Sequence, residues 1–360
     1  MKGIILHGGH GTRLRPLTHT GPKQLLSIAN KPMSRYAVED LTRAGVTDIA
    51  IIIGDIFPEK VKEFYSDGSK FGAKITYIYQ DKPGGIAQAI RICKDFIGND
   101  TKFVVYLGDN ILKGGISRYV SRFTESNSDA IILLCKVKDP TRFGIATVRG
   151  NHIEKISEKP KNPQSNLAVI GIYFLTPSIF DIIDNLNPSW RGELEITEAL
   201  QELMVSGKKI EYDYVNGWWK DTGTPQDILD ANRFILDDLD TEIHGIVESE
   251  DSLQGRVVIG KNTKISKGCI IRGPTIIGEN CNIESAVYVG PFTSIGNNVH
   301  IRRGEVENSI IMNDCEINIQ NRIVDSLIAN SSKIIDEPNF YPKGHRFLLG
   351  ERSQVSITLG

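Results

Sequence analysis

The chain has no long apolar run, no surplus of either charge, and little of the cysteine patterning that staples or metallates small domains. Five cysteines (Cys93, Cys135, Cys269, Cys281 and Cys315) lie scattered without a Cys-x-x-Cys pair. This excludes a disulfide framework and a zinc ribbon, and it fits a reducing compartment. The 42 Lys and Arg residues against 44 Asp and Glu leave a net charge of −2, so no global field recruits nucleic acid or an anionic membrane. No uncharged apolar stretch approaches the ~18 residues of a membrane span. Residues 1–6 meet glycine and histidine after three apolar positions, too soon for a signal-peptide core. The expected compartment is the cytoplasm. There is no Gly-Lys-Ser/Thr P-loop, and the dinucleotide fingerprint fails because Leu14 stands where its third glycine belongs.

What is present is ordinary globular composition, 40% hydrophobic and 24% charged over 360 residues, a length that favours two domains. Up to about residue 236, short β-branched runs at 4–6, 49–53, 75–79, 103–107 and 131–134 alternate with helical stretches at 36–44, 58–65, 87–96 and 116–123. Strands apolar on both faces and separated by helices predict a mostly parallel sheet covered on both sides, a Rossmann-like α/β/α layer. A helix is expected over 225–239, with Thr224 as N-cap and Pro225 in its first turn. The polar stretch 240–252 reads as a linker.

Beyond it the period changes. Ile259, Ile265, Ile271, Ile277, Ile283, Val289, Ile295 and Ile301 fall six residues apart, each preceded two positions earlier by Val, Thr or Cys. Gly and Asn mark the turns, so the segment predicts a parallel β-helix of hexapeptides with about four to five coils of ~18 residues. The expected organisation is a catalytic domain over 1–239, the linker over 240–252, the β-helix over 253–336 and a tail over 337–360. Open coil ends and flat repeat faces suit burial against a second copy, so a homo-oligomer is expected.

The chemistry gathers after the first strand. Gly8, Gly9 and Gly11 fall within four residues and are followed by Thr12-Arg13-Leu14 and Pro22-Lys23-Gln24. Such a turn offers backbone N–H groups as an anion nest, and Arg13 and Lys23 add charge where phosphates would lie. Asp109 in Leu107-Gly108-Asp109-Asn110 and Asp221 in Trp219-Lys220-Asp221-Thr222 stand at strand ends, where open α/β sheets bind ligands. Two carboxylates near a triphosphate suit Mg²⁺, a hard cation that keeps part of its water shell. Trp219 reads as packing, and Cys93 and Cys135 as inert core residues.

Taken in order, Gly8-Gly9-x-Gly11-Thr12-Arg13-Leu14, Pro22-Lys23, Gly108-Asp109, Glu158-Lys159-Pro160 and Asp221-Thr222-Gly223-Thr224 resemble the sugar-1-phosphate nucleotidyltransferase family. The match covers roughly residues 2–236. Lys23-Gln24-Leu25-Leu26, Asp67-Gly68-Ser69 and the run from Arg191 to Thr197 look like the glucose-1-phosphate thymidylyltransferases within it. The repeats are similar to their long form, which implies a left-handed parallel β-helix behind the nucleotidyltransferase domain. The resemblance implies that Leu6, Gly8, Gly9, Gly11, Thr12, Gln24, Gln80, Gly85 and Asp109 line the nucleotide site. Asn110, Gly144, Glu158, Lys159, Val169 and Glu193 would then line the sugar-phosphate site, with Asp109 and Asp221 on Mg²⁺. Arg13, Lys23 and Lys159 would neutralise phosphate charge. The partners implied are glucose 1-phosphate, dTTP with UTP as the alternative donor, and pyrophosphate as product.

His7 departs from the pattern, since the family generally has a small residue there. The imidazole either contacts the nucleotide or is hydrogen-bonded at the strand end. Two other functions compete with this one. An acyltransferase would need His300 as base, for which an exposed structural histidine is the better reading. A silent regulatory homologue would be expected to lose its charged residues, yet Arg13, Lys23, Asp109, Lys159 and Asp221 are all present.

Overall fold

In the computed structural model, which describes residues 1–336 and 345–357, the chain divides into two compact units. The first holds residues 1–10, 20–25 and 33–221; the second holds 11–19, 26–32 and 222–360. Parts of the expected tail, 337–344 and 358–360, lie outside the described residues. Among those described, no helix is long and apolar enough to cross a membrane.

The first unit is built on a nine-stranded sheet. Its strands are β1 (Lys2–Leu6), β2 (Asp48–Ile53), β3 (Lys74–Tyr79), β4 (Phe103–Leu107), β6 (Ala130–Lys136), β7 (Gly144–Arg149), β8 (His152–Glu158), β9 (Leu167–Leu175) and β10 (Ile210–Tyr214); β5 (Asn110–Leu112) pairs separately with β11 (Trp219–Asp221). The sheet runs β8-β7-β9-β4-β1-β2-β3, with β6 joined to β9 and β10. β4, β1, β2 and β3 are parallel, while β9 pairs antiparallel with β4. All nine residues of β9 are buried, as expected where both sheet faces are covered.

The covering helices follow apolar spacing. In α1 (Met33–Arg43), Met33, Ala37, Val38 and Leu41 are buried, one stripe at intervals of three to four residues. Gly45, at φ 78°, turns the chain so that the Val46 N–H reaches Leu41 O at 2.9 Å, closing the helix. α2 spans Pro58–Tyr65. The single helix expected over 87–96 is instead two, α3 (Ile86–Arg91) and α4 (Lys94–Ile97), broken at Ile92 and Cys93. α5 (Ser117–Glu125), α6 (Ser178–Asp184) and α7 (Ile196–Val205) complete the unit.

In the second unit, α8 spans Pro225–Leu236. Thr224 caps it as expected: its hydroxyl accepts from Asp227 N at 3.3 Å and donates to Asp227 Oδ2 at 2.6 Å, a reciprocal cap. The helix stops short of 239 because Asp237 and Asp238 place negative charge at its negative dipole end.

The β-helix is the architecture expected. All eight aliphatic positions from Ile259 to Ile301 at six-residue spacing are fully buried. Each rung pairs in parallel with the next, as Ile265↔Ile283↔Ile301↔Ile317 shows. Asn262, Asn280 and Asn298 turn the corners at φ 56–59°, a region asparagine tolerates. The stretch expected as a linker already belongs to this stack, since Glu242–Ile243 and Ile246–Val247 pair with Val258–Ile259 and Lys264–Ile265. One face therefore carries six rungs, more than the four to five coils expected.

Candidate active site

Within the first unit, β1 and β4 run side by side and deliver Gly8-Gly9 and Gly108-Asp109 to the same carboxyl edge of the sheet. Gly108 has no room for a side chain: a Cβ there would lie 2.9 Å from Leu6 O, 3.2 Å from His7 Cδ2 and 3.3 Å from Gln24 Cγ. That close approach lets three segments meet. Gln24 is buried and its Nε2 donates to Gly8 O at 2.7 Å, tying the 23–25 turn under the glycine loop. The preceding Lys23 forms an ion pair with Asp109, both side chains only 13% exposed.

Burial raises the Asp109 carboxyl, but the Lys23 ammonium and hydrogen bonds from Lys23 and Asn110 reverse that and hold it below its ordinary value. Asn110 organises the neighbourhood. Its Nδ2 donates to Asp109 Oδ1 at 3.0 Å, while its Oδ1 accepts from Trp219 Nε1 at 2.7 Å and from Gly171 N at 3.2 Å. Trp219 thus packs, as expected, and also donates. Across the β5–β11 pair Asp221 stands opposite Asn110, the residue that follows Asp109. Among the described residues no cluster of three or more His, Cys, Asp or Glu could hold a metal.

A second cluster surrounds Glu158. Gly144 pairs with it across β7 and β8, and a Cβ on Gly144 would fall 2.4 Å from Thr197 Cγ2. Glu158 Oε2 accepts from Thr197 Oγ1 at 3.0 Å, and Oε1 lies 3.5 Å from both Lys159 Nζ and Arg191 Nη1. Arg191 also reaches Glu193 at 3.0 Å and Glu195 at 3.2 Å. Burial, then the Glu158 charge, raises the Glu195 carboxyl. In the sequence Arg191 stands out only as part of the 191–197 motif, and nothing there signals that it binds three carboxylates. Tyr173, on the same strand as buried Val169, is raised by burial and then by Glu158, Asp109 and Glu195, so it feels the charge of both clusters.

Gln80 is buried beside the glycine loop and donates to Gln88 Oε1. Gly85 lies against Leu194, joined through Leu194 N to Gly84 O (2.8 Å) and Ala87 N to Leu194 O (3.1 Å). Leu6 is buried at the end of β1. His7 is also buried; desolvation lowers its imidazole to about 3, against the opposing pull of Asp109. In the second unit, Gly11 at φ 58° opens a single turn, Thr12–Leu14, whose Arg13 guanidinium lies about 3 Å from where a Cβ on Gly223 would sit.

The nucleotidyl transferase family matches residues 2–238 and the bacterial transferase hexapeptide repeat matches 256–290. The chain is 46% identical over 359 residues to the low-salt glycan biosynthesis nucleotidyltransferase Agl11 of Haloferax volcanii, covering 99% of this chain and 100% of that one. It is 43% identical over 359 residues, 99% of each chain, to a glucose-1-phosphate thymidylyltransferase of Streptomyces antibioticus. A Bacillus anthracis structure solved with sucrose, provisionally designated a glucose-1-phosphate thymidylyltransferase, superposes with TM-score 0.63 at 44% identity over 67% of this chain and 97% of its own. This chain belongs to the nucleotidyl transferase family, its catalytic domain followed by hexapeptide repeats.

Proposed function

We propose that the protein transfers a deoxythymidylyl group from dTTP to glucose 1-phosphate, giving dTDP-glucose and pyrophosphate. The observation that carries this reading is the buried Lys23–Asp109 ion pair beneath the Gly8-Gly9 loop, with Asp221 on the adjoining strand. The full-length similarity to the Streptomyces antibioticus enzyme supports the choice of substrates.

The attacking oxygen of a sugar phosphate is already ionised, so no general base is needed. It attacks the α-phosphorus in line as pyrophosphate leaves. The protein's contribution is positioning and charge neutralisation. Lys23 and Arg13 hold the triphosphate and Lys159 holds the phosphate of the sugar. Gly8, Gly9, Gly11 and Thr12 approach the phosphates through their backbone, while Leu6, Gln24, Gln80 and Gly85 face the nucleoside. Asn110, Gly144, Glu158, Val169 and Glu193 receive the sugar.

The donor set fits Mg²⁺. Two carboxylates, Asp109 and Asp221, with substrate phosphates and water make up the hard oxygen shell that this ion prefers. Bound there, it would withdraw charge from the phosphoryl oxygens. We further propose that the protein works in the cytoplasm as a homo-oligomer, with the β-helix supplying the contact.

Pyrophosphate release with Mg²⁺ and glucose 1-phosphate, comparing dTTP, UTP, ATP, CTP and GTP against a no-sugar control, tests the reading. Sugar-dependent release fastest with dTTP supports it. A preference for UTP overturns the base assignment, and no release with any donor overturns the activity.

A further inference from the structure

The glycine loop begins with a histidine whose ring nitrogens have no partner among the described residues. His7 is 6% exposed, and its backbone N–H is held by Ile52 O at 3.0 Å. The ring meets Tyr65 edge-on, with centroids 5.9 Å apart, and its Cδ2 lies close to Gly108. Among the described residues neither Nδ1 nor Nε2 has a hydrogen-bond partner, and the Oε1 of Gln24, whose Cγ packs against the same Gly108, has none either. Buried polar atoms are almost always partnered, so three orphans around one glycine point to a missing group. His7 also lines a cleft with Gly8, Gly9, Gly54, Gln80 and Pro83.

A buried neutral imidazole has one donor and one acceptor. That pairing is poorly suited to a phosphate, which takes cations and N–H donors, and well suited to a hydroxyl or an amide edge. Resting on the function proposed above, we infer that His7 is a specificity-determining residue whose imidazole hydrogen-bonds the uncharged nucleoside of the nucleotide, not its phosphates.

The test uses the full-length chain. Ring-¹⁵N histidine spectra, with His7 assigned by its loss in His7→Ala, are followed on adding thymidine, dTMP, dTTP and, separately, pyrophosphate. The His7 nitrogens should move with the three nucleoside-bearing ligands and stay with pyrophosphate. In turnover, His7→Ala should raise KM for dTTP at least tenfold and alter the dTTP-to-UTP preference at least threefold. KM for glucose 1-phosphate should stay within twofold, and His7→Asn, which returns a donor and an acceptor, should recover part of the loss. Ring signals that ignore nucleosides, or that move equally with pyrophosphate, overturn the inference, as does an unchanged nucleotide preference in a folded His7→Ala protein. The two proposals separate cleanly. His7 shifts without turnover would sink the proposed activity and leave this role standing, and full turnover indifferent to His7 would do the reverse.

Discussion

Gly85 offers a perturbation whose consequence can be worked from geometry. Its backbone sits at φ 96°, ψ 170°, a region that is almost exclusively glycine's, and a side chain forced there costs about 1–3 kcal/mol. A Cβ would also lie 2.4 Å from Leu194 O and 2.8 Å from Leu194 N. Backbone cannot swing aside as a flexible side chain can, and holding such an overlap costs about 1–3 kcal/mol more. The cheaper escape is for the loop to lift, breaking the two backbone hydrogen bonds between 84–87 and 194 at about 1 kcal/mol each. Gly85→Ala should therefore lose about 2–4 kcal/mol and roughly 4–16 °C in Tm. Lifting also parts the loop proposed to face the base from the segment carrying Glu193, so kcat/KM for dTTP should drop at least about tenfold. Gly72→Ala is the control. It too has positive φ, 70°, but open space around its Cβ, so it should cost about 1 kcal/mol and spare activity. Thermal melts and initial-rate kinetics on both variants decide the matter; a Gly85→Ala protein that melts and turns over like its parent would refute the reasoning.

The β-helix is legible because its restraint is local and repeated. Every sixth residue must fill the same narrow interior, so Ile259 through Ile301 declare the period without reference to anything distant. The first coil escapes notice for the converse reason. Val247 and Leu253 continue the six-residue spacing back from Ile259 and pack on the interior, but they are only partly buried and Ile243 and Ile246 are 41% and 65% exposed, so the period is diluted there among polar residues. The break at Cys93 is similarly silent, because the apolar spacing continues through it while the Cys93 N–H turns to Ile90 O, three residues back at 3.0 Å, in place of the four-residue bond.

In the site, the ion pair of Lys23 with Asp109 and the bond from Trp219 to Asn110 join residues 86 and 109 positions apart. Glycine-rich turns and strand-end carboxylates mark the chemistry, but no spacing rule reports which charge meets which. The same holds for Arg191, whose three carboxylate partners come from two separate segments. The orphaned nitrogens of His7 are a property of three-dimensional packing alone.

Asp109→Ala, Asp221→Ala and Arg13→Ala should each lower kcat at least ~100-fold; near-parental turnover in any one would remove its assigned role. Asp40 is 5% exposed, accepts from Tyr106 Oη at 3.0 Å, and is raised by burial, against Arg43, from 3.8 to about 6. The folded state thus keeps a proton that the unfolded state releases, and stability falls as pH rises from about 4 to about 6, by at most about 3 kcal/mol. Urea titrations should show Asp40→Asn gaining on the parent across that window, and parallel pH profiles would count against it. Finally, Asn232 is fully buried in α8, where its Oδ1 accepts from Ala29 N (2.9 Å) and Ser294 Oγ (2.6 Å) and its Nδ2 donates to Phe292 O (2.9 Å). One amide thereby joins the 26–32 segment, the helix and a β-helix corner within the second unit. Asn232→Ala removes the partner of two buried groups, Ala29 N and Ser294 Oγ, and of the half-buried Phe292 O, each worth about 1–3 kcal/mol where buried, so the loss should reach about 3 kcal/mol. Because the groups share one anchor, amide exchange should speed up together at Ala29 and Ser294, and Asn232→Asp, which keeps both acceptor contacts but not the donor, should free mainly the Phe292 corner. Exchange that rises at one segment and leaves the other protected would mean the three contacts are independent, and that α8 is held by its apolar face alone.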